Sequence, residues 1–226
     1  MEMVNKTCEI LGPLTDYEEK NAPEQLFLEG DSSLLKEGRR VAVVGSRRAS
    51  PDGIRRAKSI TRELVKHGFI VVSGLAEGID TVAHETAIEN DGKTIAVLGT
   101  PLSQTYPISN KKLLEIIKRD HLAVSQFKEG IPTSRKNFPL RNKTMALLCD
   151  ATIVVEAAEK SGTQHQAWEG IRLGRSVYIM QNVVQNGELT WPKKLIDFGA
   201  QELSRIDIPN IFDDIPFYAV GSTSEF

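Results

Sequence analysis

The stretch Val41-Ala42-Val43-Val44-Gly45-Ser46-Arg47-Arg48 runs from four apolar residues into a loop that contains a glycine and two arginines. A continuous run of small and β-branched apolar residues is typical of a strand that is buried on both faces of a sheet. Glycine permits a tight turn where such a strand ends. The stretch therefore predicts a buried strand whose carboxyl end leads into an arginine-containing loop.

Five further apolar runs follow, and segments of helical period separate them. All six runs are short and rich in valine, isoleucine or alanine; they are Val41–Gly45, Ile70–Ser73, Thr94–Gly99, Leu122–Ser125, Thr152–Glu156 and Ser176–Met180. Alternation of strand and helix is typical of parallel crossover connections. We therefore predict an α/β fold, a Rossmann-like, doubly wound, mostly parallel sheet of about six or more strands flanked by helices.

The segments between the runs have the apolar spacing of amphipathic helices. Between the first two runs, Ile54, Ala57 and Ile60 recur at helical intervals, with basic residues on the opposite side. Similar helices are expected at Asp80–Asn90, Asn110–Arg119, Leu140–Leu148 and Gln164–Leu173.

The charge is distributed unevenly along the chain. The 226 residues have a formal net charge of -2, yet residues 39–200 contain 24 bases and 16 acids. We predict an acidic N-terminal arm at 1–38, a Rossmann-like core at 39–205 and an acidic C-terminal tail at 206–226. The central positive charge would attract a polyanion if it lies on one face; a scattered, solvated charge is the alternative.

The cysteines and the hydropathy restrict the class of protein. Cys8 and Cys149 are far apart in the sequence and have no spacing to histidine that indicates zinc, so we expect a reducing compartment, no metal and no cofactor. No stretch approaches the ~20 apolar residues of a membrane span. We expect a cytoplasmic protein without membrane contact.

The loops after the strands contain the candidate binding residues, because ligands of open α/β sheets lie beyond the carboxyl ends of the strands. In the first loop, Gly45 permits the turn, Ser46 offers a hydroxyl, and Arg47 and Arg48 offer guanidinium groups that match phosphate oxygens. A turn with two solvated arginines is the alternative interpretation.

The second loop contains Ser73, Gly74 and Gly78. Asp80 follows as a predicted helix N-cap, and His84 lies four residues later on the same helix face. We place Asp80 and His84 in the crevice without assigning a role to either, because a single histidine on a helix is more often structural.

The third loop is basic and contains an aromatic residue. Residues 128–143 include five bases, one acid and two prolines. Such loops favour single-stranded nucleic acid, since cations contact phosphates and a ring stacks on a base. The candidate binding residues are Lys136, Asn137, Phe138, Arg141 and Asn142. The alternative places Phe138 in the core, with the basic residues merely solvated.

The fourth loop, Ser161-Gly162-Thr163, follows a predicted strand and opens a helix. This arrangement can hold phosphate on free N–H groups, although a simple helix cap explains it equally well.

The segment Ala87–Thr94 matches a relaxed phosphate-loop pattern, but it ends a predicted helix and begins a predicted strand, whereas a true phosphate loop follows a strand and precedes a helix. We therefore predict neither ATP hydrolysis nor a catalytic residue.

Together, the loops resemble the DNA-processing protein A (DprA/Smf) family. The resemblance covers roughly residues 22–203. It rests on short motifs in a fixed order: Leu26-Phe27 with Gly30, Val41 to Arg47, Ser73 to Ala76 with Gly78-Ile79-Asp80 and Ala83-His84, Lys93 to Gly99, Tyr106-Pro107 with Asn110, Phe138-Pro139 with Arg141-Asn142, and Val154 to Ala157 with Ser161-Gly162.

The resemblance implies a function. Members of that family have a Rossmann-like core, bind and protect single-stranded DNA as homodimers, and help load RecA recombinase during DNA uptake in natural transformation, and no reaction is attributed to the core. By resemblance, Gly45, Ser46 and Arg47 contact DNA phosphate, and Lys136, Phe138 and Arg141 line the same path.

Several positions depart from the family pattern. Gly99-Thr100-Pro101 stands where the family usually has Gly-x-Gly, and Ser103 and Gln126 stand where Asp and Glu are usual. Gln164-His165-Gln166 is bulkier than the usual residues after Ser161-Gly162-Thr163. Since proline removes an N–H donor and fixes the backbone, we expect the loop at Pro101 not to hold a ligand as the family's usual Gly-x-Gly loop does. A core-only or divergent member is expected.

Two other functions stay open. One is a nucleotide-binding or nucleotide-sensing module without a role in DNA processing, because related folds bind small nucleotides in this crevice. The other is a nucleotide glycohydrolase of the LOG type, which would need a Pro-Gly-Gly-x-Gly-Thr loop; only Ser161-Gly162-Thr163 remotely resembles it. Because the rest of that loop is missing, the sequence disfavours the glycohydrolase.

Overall fold

The structure is a computed structural model that describes residues 2–4, 8–11 and 14–217. Within these ranges, nine strands form one sheet: β1 (Glu2–Val4), β2 (Leu26–Gly30), β3 (Arg40–Gly45), β4 (Ile70–Ser73), β5 (Thr94–Leu98), β6 (Leu122–Ser125), β7 (Ala151–Glu156), β8 (Ser176–Met180) and β9 (Gln201–Leu203). The helices of the same ranges are α1 (Cys8–Leu11), α2 (Asp16–Asn21), α3 (Pro51–Lys66), α4 (Ile79–Glu89), α5 (Lys111–Asp120), α6 (Asn137–Leu148), α7 (Gly162–Arg172), α8 (Gln181–Val184), α9 (Trp191–Asp197) and α10 (Ile211–Asp214).

The strand order is β1-β2-β6-β5-β4-β3-β7-β8-β9. Every neighbouring pair from β6 to β9 is parallel, whereas β1 and β2 add to one edge in antiparallel orientation. The prediction of a Rossmann-like, mostly parallel sheet is confirmed, and all six predicted runs are strands of it.

The order of the strands reverses at β3. The chain continues from β3 to β4 on one side and later returns to place β7 on the other side. The pairing of β3 with β7 shifts at its carboxyl end, where Val44 opposes Val154 but Gly45 opposes Glu156. Such a reversal separates the loops beyond the two strands and leaves a crevice between them, which is where open α/β sheets bind ligands.

Helices cover both faces of the sheet, and this explains the continuous apolar runs. Along β3, Ala42 and Val44 belong to one buried cluster, and Val41 and Val43 belong to the cluster on the opposite face. Alternate side chains of a strand point to opposite faces, so a strand covered on both sides needs an apolar residue at each position. Burial of each valine side chain contributes about 1.5–3 kcal/mol.

Described segments on either side of residues 39–205 pack onto the predicted core. At the N-terminal end β2 pairs with β6, and Glu18 of α2 forms an ion pair of 2.6 Å with Arg175. At the C-terminal end Phe212 is buried, and Arg39 Nη1 donates a hydrogen bond of 2.7 Å to its carbonyl oxygen. The sheet and its packing therefore extend beyond residues 39–205. The rest of the predicted arm, at 1, 5–7 and 12–13, and of the predicted tail, at 218–226, lies outside the described residues.

The described residues also bear on the expectations about cysteine, membrane spans and metal binding. Cys149 is a buried free thiol, and burial raises its pKa. No helix among the described residues is long and apolar enough to cross a membrane. No group of three His, Cys, Asp or Glu side chains there is arranged to hold a metal ion.

Candidate nucleic-acid interface

A cleft of about 840 Å³ opens at the carboxyl ends of β3 and β7, where the strand order reverses. Its lining comes from residues 44–48 after β3, from the region of 135–145 at the start of α6 and from 158–166 at the start of α7, together with Ala76, Asp80 and Tyr106. The sheet thus brings three of the four predicted binding segments, and part of the fourth, to one opening.

The rim of the cleft is cationic. It consists of five exposed side chains, which are Arg47, Arg48, Arg135, Lys136 and Lys160. Four of them line the cleft, and Lys136 lies next to Arg135 at the N-cap of α6. None of the five forms a salt bridge with any residue that the structure describes. Their charges are therefore available to an anionic ligand. We refer to these five residues as the cationic rim.

Two aromatic rings lie beside the cationic rim. The guanidinium carbon of Arg47 is 5.5 Å from the centroid of the Phe138 ring, and the Phe138 and Tyr106 centroids are 5.3 Å apart at an interplanar angle of 52°. Phe138 is partly buried against Gly99, where even a Cβ atom would lie 2.7 Å from its ring. Phe138 is thus both a cover for the sheet edge and a cleft residue.

The first two loops fit into one another, which fixes the position of Arg47. A Cβ atom on Gly45 would lie 2.6 Å from the Ile79 side chain, and one on Gly78 would lie 2.2 Å from the Ser46 carbonyl oxygen. Gly78 has a φ of +79°, which favours glycine. The Ile79 N–H donates a hydrogen bond of 3.1 Å to the Ser46 carbonyl oxygen. The glycines therefore serve close packing here.

The segment Phe138 to Asn142 lies within a helix, so the prediction that it forms a loop is wrong. Helix α6 begins at Asn137, three residues before the predicted start. Pro139 is tolerated because it lies in the first turn, where backbone N–H groups have no helical partner. Residues 138 and 141 are three apart and so lie on the same side of the helix, where Phe138 is partly exposed and Arg141 is buried.

Arg141 lies beneath the cleft and has its hydrogen bonds inside the protein. Its Nη1 donates to the carbonyl oxygen of Gly74 and, at 2.8 Å, to that of Val97. Its Nε donates to Asn142 Oδ1 at 2.9 Å. Burial lowers the pKa of Arg141, and nearby Asp80 opposes this shift. Arg141 borders the cleft but ties α6 to the ends of β4 and β5, so its environment differs from the open path that the resemblance implies.

Asp80 is also buried, and it binds backbone rather than starting a helix. Its Oδ2 accepts hydrogen bonds from the Gly74 N–H at 3.1 Å and the Ala76 N–H at 3.4 Å. Burial raises the pKa of Asp80, while Arg141 and these amides oppose the rise. The N-cap of α4 is Gly78, so the prediction that Asp80 caps the helix is wrong. The turn at Gly78 starts the helix earlier, and the Asp80 side chain reaches back to the loop amides.

Of the two residues placed in the crevice from the sequence, Asp80 lines the cleft and His84 does not. His84 is fully buried, does not line the cleft and has its Nδ1 2.7 Å from Thr94 Oγ1. Burial, with smaller contributions from His121 and Arg141, lowers the pKa of His84 to about 3. Ser73, the remaining predicted residue of this loop, is buried and donates a hydrogen bond of 2.7 Å to the Val43 carbonyl oxygen. These residues support the cleft from beneath. We refer to Ser73, Gly74, Asp80, His84 and Arg141 as the buried floor.

The start of α7 opens into the cleft, as the sequence predicts. Ser161 is the N-cap but forms no capping hydrogen bond through its side chain, and Gly162 and Thr163 begin the helix. Asn142 Nδ2 donates a hydrogen bond of 3.1 Å to the Gly162 carbonyl oxygen and thereby joins α6 to α7. The N–H groups of a first helical turn and the helix dipole favour an anion. Asn137 is buried, and its Oδ1 accepts a hydrogen bond of 2.9 Å from Ser134 Oγ.

The carboxylates near the cleft have other partners. Glu159 lines the cleft but accepts hydrogen bonds from the N–H of Thr190 at 2.9 Å and from its hydroxyl at 2.5 Å, and these lower the pKa of Glu159. At the end of β7, Glu156 accepts a hydrogen bond of 3.0 Å from the Ser50 N–H and pairs with Arg56 at 3.5 Å, at the start of α3. Among the described residues, no carboxylate forms an ion pair with the cationic rim.

The loop after β5, which departs from the family pattern, does not line the cleft between residues 99 and 104. Leu102 is buried, Thr100 Oγ1 donates a hydrogen bond of 2.7 Å to the Gln104 carbonyl oxygen, and Ser125 Oγ donates one of 2.6 Å to the Thr100 carbonyl oxygen. Internal hydrogen bonds thus hold this loop together, and of residues 99–110 only Tyr106 lines the cleft.

The residues predicted from the sequence do not include every residue of the cleft, and three of those missed are basic or aromatic. They are Arg135 before α6, Lys160 before α7, and Tyr106 in the loop after β5. A basic residue next to Lys136 and an aromatic residue in a loop after a strand were visible signals. Their position at the cleft depends on how distant segments pack.

Comparisons with known proteins identify the family of this chain. The model of a family described as DNA recombination-mediator protein A matches residues 13–214. The DNA processing protein DprA of Streptococcus pneumoniae is 40% identical over 181 residues, which are 80% of this chain and 64% of that protein. This chain thus spans less than two thirds of the length of that relative.

Two solved structures are similar to this one. The X-ray structure of DNA processing protein A from Streptococcus pneumoniae superposes with a TM-score of 0.79 at 36% identity, over 92% of this chain and 70% of that chain. A structure of DNA processing protein A from Helicobacter pylori, described in terms of its unique single-stranded DNA binding mode, gives a TM-score of 0.77 at 26% identity, over 95% of this chain and 93% of that chain.

Proposed function

This chain belongs to the DNA recombination-mediator protein A family, and from that premise we propose that its cleft binds single-stranded DNA. The observation on which the proposal rests is the arrangement at the cleft: five exposed cations that form no salt bridge with any described residue lie at the same opening as two aromatic rings, where the strand order reverses. Cations for phosphates and rings for unpaired bases are the two requirements of a single-strand site.

The residues divide by role in this proposal. Arg47, Arg48 and Lys136 contact phosphates, and Ser46 and the first-turn N–H groups of α7 add hydrogen-bond donors. Arg135 and Lys160 join them from the rim. A guanidinium group can form two parallel hydrogen bonds with a phosphate, so we assign Arg47, whose guanidinium carbon lies 5.5 Å from the Phe138 ring centroid, to the central phosphate.

The buried floor has a positioning role. The guanidinium of Arg141 already donates to the carbonyl oxygens of Gly74, just after β4, and of Val97 in β5, so it holds α6 in place beneath the ligand. Gly74 allows this contact, because a Cβ atom there would lie 2.1 Å from Arg141 Nη1. Asn142 extends the same support to α7.

The wider biology is part of the proposal as well. The similar protein from Helicobacter pylori is described by its single-stranded DNA binding mode. We propose that this chain, in the cytoplasm and as a homodimer, protects single-stranded DNA during DNA uptake and recombination and helps load RecA. Binding and protection require no catalytic residue, and we assign none.

The test is a fluorescence anisotropy titration with labelled oligo-dT and with duplex DNA of equal length, at several salt concentrations. For four to five phosphate contacts, affinity for oligo-dT falls roughly 50- to 100-fold between about 50 mM and about 200 mM salt. The double variant Arg47→Ala/Lys136→Ala loses roughly 10- to 100-fold in affinity.

The matched control is Arg55→Ala/Arg205→Ala, which removes two positive charges from a second groove lined by α3 and the end of β9. The control should bind oligo-dT as the wild type does. Equal losses in both double variants, or binding that does not respond to salt, would show that the cleft is not the site.

A nucleotide-binding module is the second candidate, because the open first turn of α7 in the cleft also suits the phosphate of a mononucleotide. A thermal-shift panel of mononucleotides separates the two functions. A rise in Tm with a mononucleotide, without measurable affinity for oligo-dT, would favour the module.

A further inference from the structure

Tyr106 is the more exposed of the two paired rings at the cleft, Tyr106 and Phe138. Its exposed fraction is 54%, whereas the neighbouring Phe138 is only partly exposed. A large apolar ring that lies mostly in solvent gains little from folding, and its burial against a ligand is favourable. Since it lines an opening with five exposed cations around it, its position favours contact with a ligand that is both anionic and flat.

Phe138 is less suited to receive a base than its sequence position indicates. Its ring contacts the backbone at Gly99, has the Arg47 guanidinium 5.5 Å from its centroid and lies next to the Tyr106 ring. These contacts occupy much of its surface. Phe138 thus supports Tyr106 and Arg47, and the free aromatic surface of the pair belongs to Tyr106.

The backbone around Tyr106 is held on both sides. Before it, Leu102 is buried, and the Thr100 hydroxyl binds the Gln104 carbonyl oxygen at 2.7 Å. After it, Asn110 Nδ2 donates hydrogen bonds of 2.9 Å to the Leu75 carbonyl oxygen and 2.8 Å to Thr81 Oγ1. A ring on such a loop loses little conformational freedom when it binds, and this preserves affinity.

We infer that Tyr106 is the residue on which an unpaired nucleobase stacks, and that this contact gives the cleft its preference for single over double strands. The inference rests on the proposed function. In a duplex, the bases are stacked on each other and paired, so their faces are closed to a side chain. The cationic rim attracts the phosphates of single-stranded and of duplex DNA, whereas Tyr106 stabilises only the complex with a strand whose bases are accessible.

The test separates bases from backbone with two labelled strands of equal length, oligo-dT and an oligonucleotide of abasic tetrahydrofuran units. Both carry the same phosphates. Anisotropy titrations compare the wild type with Tyr106→Ala, with Tyr106→Phe, which keeps the ring, and with Phe198→Ala, which removes a 66%-exposed aromatic side chain outside the cleft lining. Thermal unfolding of each variant checks its folding.

The expected result is specific to stacking. Tyr106→Ala lowers the affinity for oligo-dT about 5- to 100-fold and leaves the affinity for the abasic strand unchanged. Tyr106→Phe and Phe198→Ala bind both strands as the wild type does. The ratio of oligo-dT to duplex affinity falls in Tyr106→Ala, because duplex binding is retained.

Two results would overturn the inference and leave the proposed function in place. One is oligo-dT affinity that is unchanged in Tyr106→Ala. The other is an equal loss for oligo-dT and for the abasic strand, which would mean that the loop contacts the backbone. If the wild type itself binds neither strand, the proposed function fails, and the inference fails with it.

Discussion

The cationic rim and the buried floor of the cleft both contain arginine, but their chemistry differs. Arg47 on the rim is exposed and forms no salt bridge with a described residue, while Arg141 on the floor is 5% exposed and donates to backbone carbonyl oxygens of two strands. A charged group in water is free to exchange water for phosphate, and a buried one must keep its internal partners. Residue type alone therefore does not distinguish a ligand contact from a structural support.

The largest expected effect comes from the floor. Arg141→Ala leaves the carbonyl oxygens of Gly74 and Val97 without this donor and removes the cation near buried Asp80. The free energy of unfolding should fall by about 3–5 kcal/mol, as for other broken buried charge contacts. Urea unfolding measures it. Arg47→Ala is the matched control on the rim and should change stability by less than about 0.5 kcal/mol. Equal stabilities of the two variants would remove the distinction between floor and rim.

The next effect is a pH dependence that also belongs to the floor. His84 has a pKa of about 3 in the folded protein, below the ordinary value of 6.5, because it is buried, and His121 and Arg141 add to this shift. The unfolded chain therefore binds the proton first as pH falls. Stability from this group is complete above pH ~6.5 and decreases by about 1.4 kcal/mol per pH unit below it, towards pH ~3.

Urea unfolding at several pH values, on the wild type and on His84→Gln, isolates this contribution. Between pH ~6 and pH ~4, the free energy of unfolding of the variant should depend on pH less steeply than that of the wild type, by about 1.4 kcal/mol per pH unit, which corresponds to one proton. Binding of oligo-dT at neutral pH should be retained by the folded variant, because His84 does not line the cleft. Identical pH profiles of wild type and variant would contradict the burial argument.

A smaller effect is expected from a single charge on the rim. Arg47→Gln keeps a polar side chain but removes the cation, so one phosphate contact is lost. The slope of log affinity against log salt should become shallower by roughly 0.7. Stability should stay unchanged, which Tm confirms. A full wild-type slope would mean that Arg47 does not contact phosphate.

The smallest effect has the opposite sign. Glu159 is a partly exposed acidic residue that lines the cleft, and its carboxylate binds Thr190. Glu159→Gln keeps an acceptor for Thr190 and removes a negative charge, so affinity for oligo-dT should rise about twofold. Anisotropy at low salt is the most sensitive measurement, because salt screens exposed charges. A loss of affinity would show that the carboxylate orders the rim.

The fold could be predicted because its signals are local. Six apolar runs with helical segments between them define a parallel sheet, and each of the six is a strand of the structure. Strands β1 and β9 have only three residues each, too few for an apolar pattern to be visible. The edge strands were therefore not predicted as members of the sheet.

The candidate site could be predicted in part. The chain position of Arg47 directly after β3 was sufficient, because every strand of a parallel sheet ends at the same edge. The helical start of α6 was missed, since a proline at 139 ordinarily indicates a loop. The helix turns Arg141 inward, so its buried environment followed from neither composition nor spacing.

The sequence by itself determined the sheet, the strand ends and the presence of cations and glycines beside them, because these depend on residues adjacent in the chain. Only the tertiary structure decided which arginine is a support, that His84 is separated from the cleft and that Tyr106 reaches it. Burial is set by packing between distant segments: Arg141 meets carbonyl oxygens that are 67 and 44 residues away in the chain. The free energy of each charge follows from that environment.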